Sequence, residues 1–210
     1  MTLPPRLRAR GRLAAAIAAL AIALVCAPWL EASMLRHMFV QIPLLLGSGW
    51  LLSDTLAMRS RLRRIDEYGI TGLTLLLFVS AYWMIPRALE LSLTSAAAET
   101  GKVASLLLLG LVLPGSLNRG HWIVQLFFLG NFSAMMAIAG IQYQNLPQRL
   151  CNAYLLDDQN LTGIALVLAS VLLSILWCVR LAPAISFQQI KEESHVLPGT
   201  ESSLDHLTRP

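Results

Sequence analysis

Stretches without a charged residue recur along the chain and set its pattern of hydrophobic and polar positions. Six of them lie at 13–30, 37–53, 68–86, 103–118, 120–148 and 159–179. A charge near the centre of a bilayer costs about 2.5–3.5 kcal/mol on insertion scales, and about 20 apolar residues cross the hydrocarbon core. The pattern therefore predicts an all-α, polytopic membrane protein that forms one helical bundle.

We expect six transmembrane helices, at Leu13–Leu30, Leu35–Ser53, Tyr68–Leu89, Val103–Leu117, His121–Ile141 and Leu161–Leu181. The predicted organisation is a basic N-terminus at 1–12, a bundle at 13–182 and a polar tail at 183–210. We expect a disordered tail, because it has no helical apolar stripe. The fourth span is short and contains Pro114, so we expect a tilt or a kink there.

Composition and charge agree with a membrane protein. The 210 residues are 56% hydrophobic and 13% charged, whereas a soluble domain carries about 25% charged residues. The net charge of +4 does not indicate a nucleic-acid partner, because the basic residues lie beside the predicted spans. With six spans, twelve of the sixteen basic residues share the face that holds both termini, and the other four are Arg36, Arg87, Lys102 and Arg149. Because Lys and Arg are enriched on the cytoplasmic side, both termini are predicted in the cytoplasm.

The first span also has the features of a signal peptide. It has a basic start, an apolar middle and small residues at Ala32 and Ser33. Its apolar run is longer than the usual signal-peptide core, which favours a retained anchor. Cleavage would leave the orientation of the other five spans unchanged.

Polar and sulfur-bearing side chains gather at the outer ends of the predicted spans. The start of the second span places four of them on one helical face, at i, i+3, i+4 and i+7: Met34, His37, Met38 and Gln41. The third span ends on the same side with Met84 and Arg87, and Asp158 and Gln159 stand at the start of the sixth. Thioether and imidazole groups suit Cu(I). The candidate metal ligands are therefore Met34, His37, Met38 and Met84.

The same residues have plainer interpretations. Methionine often fills irregular apolar gaps, and a lone histidine is more often hydrogen-bonded than metal-bound. Asp158 is placed to cap the sixth helix. Arg87 is long enough to reach the lipid headgroups or to pair with Glu90 or Asp158. His121 belongs to the opposite end of the bundle and cannot share a metal with His37.

Three short segments resemble the caa3-type CtaG group of cytochrome c oxidase assembly proteins. They are His37-Met38-Phe39-Val40-Gln41 with the following Pro43-Leu44-Leu45, then Trp83-Met84-Ile85-Pro86, then Asp158-Gln159-Asn160-Leu161-Thr162-Gly163. The resemblance implies a multi-pass protein of the bacterial inner membrane that is linked to copper delivery during oxidase maturation. This chain departs from the family pattern at two positions, because Gln41 and Met84 stand where the family has histidine.

The leading functional hypothesis is an accessory factor in copper handling or cytochrome c oxidase assembly, with Cu(I) as the candidate cofactor. Its partners would be the lipid bilayer and respiratory oxidase subunits or periplasmic copper proteins. A metal-free structural or scaffold subunit is the alternative, which Gln41 and Met84 favour. A small transporter ranks lowest, because Gln125 and Asn131 are the main mid-membrane polar groups and no internal repeat is visible. An enzyme is not expected, since the chain lacks a Ser/His/Asp set, a phosphate-binding glycine loop and a CxxCH motif.

Overall fold

All regular structure in the described part of the chain is helical. The computed structural model describes the backbone at 5–53, 66–146 and 154–196, and the side chains at 7–53, 66–146 and 154–180. The helices are α1 (Pro5–Val25), α2 (Ala27–Leu30), α3 (Met34–Arg36), α4 (Ile42–Ser53), α5 (Ile70–Trp83), α6 (Pro86–Thr94), α7 (Ala96–Arg119), α8 (Trp122–Asn145) and α9 (Leu156–Val196). A π-helical turn, His37–Gln41, joins α3 to α4. The all-α fold class is therefore confirmed.

Within these ranges, three helices are long and apolar enough to cross a bilayer: α7, α8 and the Leu156–Arg180 part of α9. The pair α5 and α6 counts as a fourth candidate, although the two helices meet at an angle of 75°. Helix α1 is not among these candidates, because even its last 18 residues still contain three arginines. The π-helical turn divides the second predicted span into shorter pieces. Six spans and cytoplasmic termini therefore stay predictions.

Prolines account for the irregular helical geometry. Pro43 has no N–H, and its ring conflicts with the carbonyl of Phe39, so the turn before it widens and the Ile42 N–H bonds to the His37 carbonyl. Pro86 stands at the start of α6, just after the bend. Pro114, by contrast, lies inside α7, which is one helix of 24 residues. The expectation of a short fourth span is wrong, because α7 begins well before Val103.

The helices pack closely where glycines face each other. A Cβ on Gly110 of α7 would collide with the Leu46 carbonyl of α4, and a Cβ on Gly49 would collide with the Leu107 carbonyl. Such contacts let two helix backbones approach, which is the usual basis of helix association in lipid. The main apolar core includes Leu45, Leu73 and Leu109. This packing holds α7 against α4 and so positions the polar residues at their ends.

The C-terminal helix is longer than expected. We expected disorder from residue 183, but α9 is helical as far as Val196. The residues that follow, 197–210, lie outside the described part of the chain. So do Cys151 and the basic segment 59–64, on which the orientation argument partly rests.

Candidate functional site

A group of buried polar side chains lies where α7 passes the π-helical turn. We call it the polar centre, and its members are Glu31, His37, Gln41, Lys102 and Tyr154. Lys102, His37 and Gln41 are each 0% exposed. Because α7 begins at Ala96, Lys102 lies almost two turns inside the helix rather than beyond its end. Burying so many polar groups in a membrane bundle is tolerated only when they bond to one another.

The ammonium of Lys102 organises the polar centre. Its Nζ lies 2.9 Å from Glu31 Oε1, 3.0 Å from His37 Nε2 and 3.3 Å from Gln41 Oε1. An ammonium has three protons to donate, and these three acceptors use them all. Glu99, one turn earlier on α7, places Oε2 2.8 Å from Nζ without the alignment of a hydrogen bond. Two carboxylates therefore surround one buried cation.

These contacts assign the tautomer of His37. A protonated lysine only donates, so His37 Nε2 accepts from Lys102 and the single ring proton is on Nδ1. Nδ1 then donates to the Tyr154 hydroxyl oxygen, which lies 2.8 Å away. Both ring nitrogens of His37 are engaged. Gln41 completes the set by donating from Nε2 to Glu31 Oε1 at 2.8 Å and to the Ala23 carbonyl at 3.3 Å.

Glu31 lies between α2 and α3, with a side chain that is 17% exposed. Burial alone would raise the pKa of Glu31. The hydrogen bonds from Lys102 and Gln41 and the positive charge of Lys102 outweigh burial and hold the pKa below its usual value. Glu31 is therefore ionised and forms the edge of the polar centre that is closest to water.

Asp158 caps a helix, but not the one that we expected. Asp158 lies inside the first turn of α9, and its carboxylate accepts from the Met34 N–H and, at 2.9 Å, from the Ser33 hydroxyl. It therefore caps α3 rather than its own helix. The reason is tertiary, because the segment between α2 and α3 lies against the head of α9.

The three segments that resemble the CtaG group meet at this end of the bundle. Tyr143 of α8 donates to the Met84 carbonyl at 2.5 Å, at the bend before Pro86. Gln159 Nε2 donates to the Tyr143 carbonyl at 3.0 Å. Met34 and Met38 are buried in one apolar cluster with Tyr143, and Met84 packs against that cluster. The structure thus brings together residues separated by more than 100 positions.

The fit to copper is uneven among the candidate ligands. His37 has no unused ring nitrogen, and a cation already lies 3.0 Å from Nε2, so a copper ion at His37 would have to displace Lys102 or Tyr154. Across the described ranges, no group of three His, Cys, Asp or Glu residues is arranged to hold a metal ion. Of the candidate ligands, the thioethers of Met34, Met38 and Met84 remain, and they share a cluster that also contains Met136. Arg87 is exposed on α6 and borders a surface depression with Glu90.

A second polar cluster lies about 25 Å from Lys102 along α7, given a rise of about 1.5 Å per residue. Asp66 accepts from the Thr71 N–H at 3.0 Å, from Arg119 Nη2 at 2.7 Å and from the Ser116 hydroxyl. Burial alone would raise the pKa of Asp66, but these hydrogen bonds and the charge of Arg119 hold it below its usual value. His121 lies beside this cluster at the start of α8, so it is far from His37, as the six-span pattern predicted.

The sequence did not identify Lys102, Glu31 or Tyr154 as candidate site residues. We expected Lys102 to lie beyond a span, on the assumption that a charged residue ends a span. One signal was available. The predicted fourth span, Val103–Leu117, is only about 22 Å long as a helix, whereas the hydrocarbon core is about 30 Å thick. Extending that span towards the N-terminus would have placed Glu99 and Lys102 inside it.

Comparison of the chain with known protein families, with curated proteins and with solved structures gives no match. The function therefore has to be argued from the site itself.

Proposed function

We propose that the protein is an accessory factor of a bacterial inner-membrane complex, acting in copper handling or oxidase assembly. In this proposal the chain crosses the membrane six times with both termini in the cytoplasm, and the polar centre faces the periplasm. Oxidase subunits or periplasmic copper proteins would be its partners. One observation carries the proposal: the three segments that resemble the CtaG group pack at one end of the bundle.

Copper in this proposal is held by sulfur. Met34 and Met38 are 1% and 8% exposed, and Met84 packs against the same cluster. Thioether groups are soft ligands that select Cu(I) over harder cations. His37 is committed to Lys102 and Tyr154, so its contribution would be to position the helix that carries Met34 and Met38.

Anaerobic loading of the purified protein in detergent with Cu(I), against a competing chelator, tests the metal role. We expect stoichiometric binding by the wild type, and its loss in a variant with Met34→Leu, Met38→Leu and Met84→Leu. His37→Gln should still bind. Met58→Leu is the matched control, because Met58 belongs to none of the three segments. Binding that depends on His37 but not on the methionines would contradict this ligand set.

A metal-free scaffold is the second candidate, and a specific observation favours it. The ammonium of Lys102 lies where a cation bound to His37 Nε2 would have to lie. If the wild type does not retain Cu(I), the copper role is wrong. Affinity purification from mild detergent would then test the scaffold, which predicts a stable multi-subunit complex that survives mutation of all three methionines.

A further inference from the structure

Helix α6 crosses the end of the bundle instead of continuing α5. The two helices meet at an angle of 75°, so α6 runs nearly along the membrane plane when α5 crosses the bilayer. Trp83 Nε1, in the last turn of α5, donates to the Ser105 hydroxyl oxygen of α7 at 3.0 Å. Helix α7 begins at Ala96, just after α6 ends. Helix α6 therefore joins neighbouring ends of α5 and α7 at the surface of the bundle.

One face of α6 packs against the protein and the other is exposed. Leu89 is fully buried in the apolar cluster at this end of the bundle, and Ala88 and Ser92 are buried on the same side. The outward face has the i, i+3, i+4 and i+7 spacing of a helix surface and borders one surface depression, lined by Arg87, Glu90, Leu91 and Thr94. This face has no partner helix among the contacts that fix α6.

The outward face of α6 offers one charge of each sign. Arg87 and Glu90 lie one helical turn apart and border the same depression. The sequence allowed Arg87 to pair with Glu90 or Asp158, but among the residues that the structure describes neither carboxylate forms an ion pair with it. The guanidinium of Arg87 can therefore bind a group from outside the chain.

Exposed aromatic side chains indicate that this end of the bundle lies at a membrane boundary. Tyr82 is exposed just before the bend between α5 and α6. Trp29 is also exposed, and Arg36 Cζ lies 4.3 Å from the centre of its ring. These residues belong to the same end, because Met34 of α3 and Leu89 of α6 share one buried cluster. Trp and Tyr are enriched where hydrocarbon meets the lipid headgroups, so α6 lies at the level of the headgroups.

We propose that α6 lies along the membrane surface and that its outward face binds the headgroup of a zwitterionic phospholipid, with the phosphate at Arg87 and the ammonium at Glu90. A guanidinium binds phosphate oxygens through two parallel hydrogen bonds, and a carboxylate attracts an ammonium. The exposed side chain of Leu91 contacts the upper part of the acyl chains. The proposal needs α5 to cross the membrane, but it depends neither on copper nor on the side that holds the termini.

The depth of a spin label tests the position of α6. A nitroxide is attached to Leu91→Cys, in a chain whose three native cysteines are replaced by serine, and the protein is placed in lipid nanodiscs. We expect the label at the level of the phosphates, where oxygen from the lipid and a nickel complex from the water both reach it. Leu108→Cys is the matched control, because Leu91 and Leu108 are 49% and 48% exposed and Leu108 lies in the middle of α7.

Only oxygen should reach the label at Leu108. A Leu91 label as deep as the Leu108 label would mean that α6 enters the hydrocarbon. A Leu91 label that only the nickel complex reaches would mean that water covers this face, and a label that neither reagent reaches would mean that protein covers it. Each of these three results would overturn the proposal.

Native mass spectrometry of the detergent-purified protein tests the headgroup, with phosphatidylethanolamine and phosphatidylglycerol as the added lipids. The wild type should prefer phosphatidylethanolamine, which carries both charges. Arg87→Gln should weaken the binding of both lipids about fivefold, the effect of one cation beside lipid phosphates. Glu90→Gln should abolish the preference for phosphatidylethanolamine. Arg180→Gln, which removes a positive charge near the other end of the bundle, should leave the preference unchanged. A wild type that prefers phosphatidylglycerol, or binding that neither Arg87→Gln nor Glu90→Gln alters, would overturn the headgroup site.

Discussion

Replacing Lys102 with methionine should destabilise the protein strongly. The two side chains are similar in length, so the change removes the charge and its hydrogen bonds with little change of volume. Three acceptors lose the donor Lys102, namely Glu31 Oε1, His37 Nε2 and Gln41 Oε1, although Glu31 Oε1 keeps its bond from Gln41. Removing one partner of a buried ion pair costs about 3–5 kcal/mol, because the other charge is left uncompensated. We expect a loss of stability in this range.

The size of the loss can be separated into its causes with a second substitution. In Lys102→Met combined with Glu31→Gln, the carboxylate of Glu31 is removed as well, and Glu99 keeps its carboxylate in both variants. If the uncompensated charge dominates, the double variant should regain about 1–3 kcal/mol relative to the sum of the single variants. Unfolding in mixed detergent micelles, followed by tryptophan fluorescence, measures these free energies. Lys191→Met, at the other lysine of the chain, is the control for the loss of one positive charge.

Two outcomes would refute the reasoning. A loss below about 1 kcal/mol in Lys102→Met would mean that the lysine is solvated or paired elsewhere, since an exposed ion pair contributes no more than this. Strict additivity of Lys102→Met and Glu31→Gln would mean that the two side chains do not interact.

Three further predictions concern other parts of the bundle. The carboxylate of Asp66 has a lowered pKa in the folded protein. The stability that its ionised form contributes is therefore complete above the unfolded pKa of about 4 and is lost as the pH falls further. The melting temperature of Asp66→Asn should lack this acid-dependent decrease. Asp158→Ala should cost about 1–2 kcal/mol in micelle unfolding, because the start of α3 loses its cap, whereas Asp157→Ala should change little. Gly110→Ala forces a methyl group into the backbone of α4 and should cost at least about 1–3 kcal/mol. Gly101→Ala on the same helix, where a Cβ meets nothing within 4 Å, should be neutral or stabilising, and equal melting temperatures for these two variants would contradict the helix contact.

Most of the long helices could be predicted from the sequence. Charge-free runs located α7, α8 and α9, because hydrocarbon excludes charge from any helix surface that it touches. The ends of these helices were predicted less accurately. The end of α9 was placed too early. The start of α7 was placed too late, since the rule that a charge ends a span fails for Lys102, whose charge is balanced by Glu31 and Glu99. The three segments that resemble the CtaG group lie close together in the structure, but the sequence did not indicate which atoms would bond.

The hydrophobic pattern by itself determined that this chain is helical and that its long helices are apolar enough for a membrane. Tertiary structure alone decided that Lys102 is buried, because the groups that accept its hydrogen bonds, Glu31, His37 and Gln41, are 61 to 71 residues away along the chain. The same holds for Asp158, whose hydrogen-bond partners lie 124 and 125 residues earlier. Apolar burial is a property of each helix surface and is visible locally. The compensation of a buried charge is a property of several helices at once, so it appears only when they are packed together.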